Sequence, residues 1–118
     1  MTDEPTLQGR IVITPRAIAT IAAQAALRSY GVVGMASKNV LDGLAGLVVR
    51  DPRHGVEIRT AGDEIVIDLY VVIEYGTRIS AVAASVAHTV QYQVERALGM
   101  PVAAVHVHVQ DLRISNPD

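Results

Sequence analysis

Hydrophobic residues recur along this chain with two periods. From 64 to 75 they alternate: Ile65, Ile67, Leu69, Val71, Ile73 and Tyr75 fall on one face of a strand, which predicts the core face. Val66, Asp68, Tyr70 and Val72 fall on the other face, bracketed by Glu64 and Glu74, so that face is expected to be amphipathic and open. Beyond Gly76 the period changes to that of a helix. Ile79, Val82, Val86, Val90, Val94 and Leu98 lie about one turn apart, with Gly99 as the stop and Pro101 beyond it.

The remaining elements arrange themselves around this strand and helix. Residues 9–14, GRIVIT, read as a first strand, and Thr14 followed by Pro15 reads as the N-cap and first position of a helix reaching about Ser29. Ile18, Ile21, Ala22 and Ala25 form its apolar stripe, and Gly31 is placed to end it in a left-handed conformation. Residues 31–36 are short and apolar, as in a second strand. In 37–54 the pattern loosens into a helical turn carrying Val40, Leu41, Leu44, Leu47 and Val48, interrupted by Gly43 and Gly46, then a charged turn at 50–54. Residues 55–60 alternate, and Ala61, Gly62 and Asp63 make a tight hairpin into the long strand. Residues 102–112 form the last strand, with Ala103, Val105, Val107 and Val109 facing in and Ala104, His106, His108 and Gln110 on the Tyr70 side.

This order predicts an α+β two-layer sandwich, one mixed sheet with two main helices packed on one face. Residues 9–114 form a single domain between polar tails at 1–8 and 115–118. At 118 residues the chain is long enough to bury about two thirds of its unfolded surface. The core must be aliphatic, because the sequence has no Phe and no Trp.

Charge and composition narrow the function classes. A formal net charge of -2, from 10 basic and 12 acidic residues, leaves no electrostatic footprint for a polyanion, so nucleic acid is disfavoured. The absence of Cys removes disulfides, thiolate metal sites and Cys nucleophiles. The polar, acidic start does not read as a secretory signal and no apolar run is long enough to span a bilayer, which gives a cytoplasmic expectation.

Four candidate sites remain. His106 and His108 place two imidazoles on one strand face, a metal-chelating spacing with no identifiable third ligand, so ordinary exposed histidines are the expectation and no metal is assigned. Gly43-Leu-Ala-Gly46, with Arg50 and Arg53 following, matches the two-glycine phosphate clamp of an RNA-binding module but lacks a basic residue between the glycines. Glu64, Asp68 and Glu74 are carboxylates on the open strand face with no nucleophile motif beside them, so catalysis and cofactors are not expected. Tyr70 with Val66 and Val72 is either an interaction surface or a face covered by 37–54.

Taken in order, GRIVIT at 9–14, the helix through Ile18 and Ala25, Gly31-Val32 with Met35, GVEI at 55–58, DLYVVIEYG at 68–76, Val94-Glu95 leading to Gly99, and VAAVHVHV at 102–109 resemble the alkaline shock protein family of bacterial envelope-stress proteins. The resemblance spans about Gly9 to Leu112, and the 68–76 run is its most specific part. It implies a small cytoplasmic non-enzyme of cell-envelope homeostasis that self-associates and is held at the membrane by a separate anchor protein. It carries no catalytic or cofactor residue. Two positions depart from the family pattern: Ser80 stands where Pro is common and His106 where Asn is common. The expected interaction face is therefore Val66, Asp68, Tyr70, Val72, His106 and His108, with a nucleic-acid module built on 43–53 as the alternative.

Overall fold

The computed structural model describes residues 11–37 and 51–114. The first helix, α1, spans Pro15–Leu27, followed by β1 at Val32–Met35, a 3-10 turn at Pro52–Gly55, β2 at Val56–Ala61, β3 at Glu64–Glu74, α2 at Ile79–Leu98 and β4 at Ala104–Arg113. The architecture is the expected α+β two-layer sandwich.

Local chemistry explains where the helices begin and end. The Thr14 hydroxyl accepts the Ala17 N–H at 3.1 Å and Pro15 occupies the first turn, so one orphan donor is satisfied and another does not exist. The helix ends two residues before Ser29, and Gly31, at φ +89, follows one turn later rather than at the cap. A Cβ on Gly31 would stand 2.9 Å from a Val82 methyl, so this glycine also lets the reversal pack against α2. At the end of α2 Gly99 is left-handed at φ +74, its N–H donating to the Glu95 carbonyl at 2.8 Å.

β3 is the centre of the sheet. Along one edge it pairs in parallel with β4, from Val66 opposite Ala104 to Glu74 opposite Arg113. Its other edge is shared: β2 pairs antiparallel with the first half, from Ala61 opposite Glu64 to Val56 opposite Leu69, and β1 antiparallel with the second, from Met35 opposite Val71 to Val32 opposite Ile73. β1 and β2 therefore lie end to end, and Gly55 is the splice. A Cβ there would lie 2.8 Å from the Met35 Cβ and 2.9 Å from the Ala36 carbonyl oxygen, while the Ala36 N–H donates to the Tyr70 carbonyl at 2.9 Å.

Both helices cover one face. Ile65, Ile67, Leu69, Val71 and Ile73 of β3 meet Ile18, Ala22, Ala25 and Ala26 of α1 and Val82, Val86, Val90 and Val94 of α2 in one aliphatic core. Val is a modest helix former. Burial outweighs this, since each buried Val side chain is worth about 1.5–3 kcal/mol.

Three expectations need correction. Residues 11–14 of the predicted 9–14 strand are not a strand; Ile11 and Val12 are exposed, and Ile11 and Ile13 lie beside Gly62, Asp63 and Glu64 at the hairpin end of the sheet, pairing with none of its described strands. Tyr75 is exposed, not core, because β3 ends at Glu74 and the chain reverses at Gly76, φ +102. The second face is not simply open, as the next section describes. The predicted helical turn at 40–48 lies outside the described residues.

Candidate functional site on the second sheet face

Register alone brings three polar side chains together on the face away from the helices. Arg59 on β2 sits opposite Val66, Asp68 on β3 sits opposite His106, and Tyr70 sits opposite His108 on β4. Arg59 and His108 therefore reach Asp68 diagonally from either side. Arg59 donates through Nε and Nη2 to Asp68 Oδ2 at 3.0 and 2.8 Å, and His108 Nε2 lies 3.0 Å from Asp68 Oδ1. The His108 ring stacks on Tyr70, with centroids 4.5 Å apart and planes 10° from parallel.

Burial of the Asp68 carboxyl acts to raise its pKa, but hydrogen bonds from His108 and Arg59 outweigh this and hold it below the usual carboxylate range. An ionised carboxylate can only accept, so His108 Nε2 donates this bond and Nδ1 is the ring nitrogen left outside it. Asp68 in turn raises the already high pKa of Arg59.

The predicted site residues divide by burial. Asp68, Tyr70 and Val72 are buried, Val66 is half-buried, and His106 and His108 are exposed. The expectation of an exposed Asp68 is thus corrected: its side chain is only 7% exposed, closed in by its two partners. Ser37, two residues past β1, is tied to this face as well: its carbonyl accepts from the Gln110 side chain of β4 at 3.4 Å. Arg59, His106, His108 and Gln110 are exposed on this face, and Glu57, opposite Asp68 in register, is half-buried like Val66. Arg59 was not foreseen as a site residue. The alternation of 55–60 carries the signal: with Val56 and Ile58 facing the core, Glu57 and Arg59 must face the other way.

The other candidates gain less. Arg53 donates to both carboxylate oxygens of Asp51, at 3.0 and 2.8 Å, and that bond lowers the Asp51 pKa to about 2. Its charge is locally matched, and Gly43, Gly46 and Arg50 lie outside the described residues. Among the described residues no group of three or more His, Cys, Asp or Glu side chains is placed to hold a metal ion, and no helix is long and apolar enough to cross a membrane.

The sequence profile of the alkaline shock protein family, described as having a cell envelope-related function, matches residues 3–114. The chain belongs to this family. Relatives include the uncharacterized YloU of Bacillus subtilis (strain 168), 42% identical over 95% of either chain, and the uncharacterized Spy1614 of Streptococcus pyogenes serotype M6, 32% identical over 92% of either. YqhY, also uncharacterized and from Bacillus subtilis, is 30% identical over 92% of this chain and 81% of its own. Among solved structures the MamM CTD in its copper form superposes with a TM-score of 0.51 at 18% identity, covering 86% of this chain and 90% of that one. That likeness is one of fold.

Proposed function

We propose that this member of the alkaline shock protein family is a non-enzymatic scaffold of the cell envelope. It self-associates through the second sheet face and is brought to the membrane by a partner protein. One observation supports the reading: the face that neither helix covers has a buried carboxylate beneath it, paired with Arg59 and His108, and presents Arg59, His106 and His108 above it. Such pre-organisation lowers the ordering cost of association and does not by itself assemble a reaction centre.

The family's envelope-related function supports recruitment to the membrane by a partner. Light scattering over a concentration series tests the self-association. A mass that rises with concentration in the wild type and stays at that of one chain in Arg59→Glu supports it; a strict monomer at millimolar concentration removes it.

A further inference from the structure

The second face carries chemistry that association alone does not use. His106 and His108 occupy alternate positions of β4, on the same side, with Cα atoms about 7 Å apart. Their surroundings differ. His108 is fixed twice, by its stack on Tyr70 and by the bond from Nε2 to Asp68. His106 stands opposite Asp68 in register, is exposed, and has no hydrogen-bond or ionic partner among the described residues.

A buried carboxylate behind an exposed imidazole is the arrangement that orients histidines toward metal ions: it fixes the tautomer, aims the ring and strengthens the free nitrogen as a donor. Here it leaves Nδ1 of His108 as a lone-pair donor on a side chain that is 43% exposed. Two imidazoles from one strand fill two of the four positions of a tetrahedral site. The described residues offer no third ligand within the chain.

We propose that His106 and His108 are one half of a site for a divalent transition metal of the zinc class, completed by the same pair from a second copy meeting it on this face. The ion would be held by four imidazole nitrogens across a two-fold axis, through Nδ1 in the case of His108. Arg59, on the far side of Asp68, is already paired with that carboxylate and so does not oppose the ion with an unmatched charge. The inference rests on reading this face as a self-association surface, and adds that the association is metal-linked.

The test is calorimetric titration of the metal-free full chain with Zn2+, run beside sedimentation velocity. The expected result is one ion bound per two chains, accompanied by a shift to a larger species. His106→Ala and His108→Ala should each abolish both, whereas His88→Ala should change neither. Asp68→Asn should weaken binding about 10–100-fold, and Asp68→Glu should recover part of it, with thermal melts checking that the variants are folded. Absence of binding, binding that survives both histidine replacements, or one ion per chain without a size shift each overturn the half-site. Association that proceeds equally without zinc removes the metal and keeps the scaffold; no association under either condition removes both.

Discussion

Asp68 decides most of what happens on the second face, because it is a buried charge whose partners arrive from elsewhere. Removing the carboxylate as Asp68→Ala leaves the Arg59 and His108 donors without their acceptor. Both are partly solvated, so the expected loss is about 1–3 kcal/mol, read as a lower denaturation midpoint with an unchanged m-value. Gly55 makes a sharper residue-scale claim. Gly55→Ala forces a methyl against the Met35 side chain and the Ala36 carbonyl where β1 meets β2, and should destabilise by about 1–3 kcal/mol. Gly62→Ala, whose Cβ would meet nothing within 4 Å, should cost only the strain of its left-handed backbone, about 1 kcal/mol. Asp51 supplies a titration. Its pKa of about 2 lies below the ordinary 3.8, so its contribution to stability is full above that ordinary value and fades as the pH falls from about 3.8 to about 2. Carbon-detected NMR should show this, and Arg53→Ala should bring the midpoint back up toward 3.8.

At the scale of elements, the periodic segments were legible and the pairings between distant ones were not. The Thr14-Pro15 start of α1, the Val82 to Val94 stripe and the core face of β3 from Ile65 to Ile73 are local signals, and each matches the structure. Residues 11–14 show the limit of such signals. Ile11, Val12 and Ile13 have strand composition, yet a strand needs a ladder, and this segment runs into a helix cap at a sheet end. The burial of Asp68 was hidden for a related reason: its partners Arg59 and His108 lie 9 and 40 residues away, so only the tertiary register reveals the pair. α2 makes an element-scale prediction of its own. Its N-cap, Arg78, forms no side-chain cap bond, so Arg78→Asp should stabilise the protein by about 1 kcal/mol, raising the thermal midpoint.

For the whole molecule, the division of labour lies between the two faces of one sheet. The odd positions of β3 hold the helix layer, and the even positions carry the network that shapes the other surface. The central claim is that copies of this chain meet on that surface. Hydrogen–deuterium exchange of the protein at high and low concentration tests it most directly. The account predicts that concentration-dependent protection appears in β2 and β4, around Arg59, His106 and His108, and leaves the outer faces of α1 and α2 unchanged. Protection confined to the helices, with β2 and β4 exchanging alike at both concentrations, would contradict it.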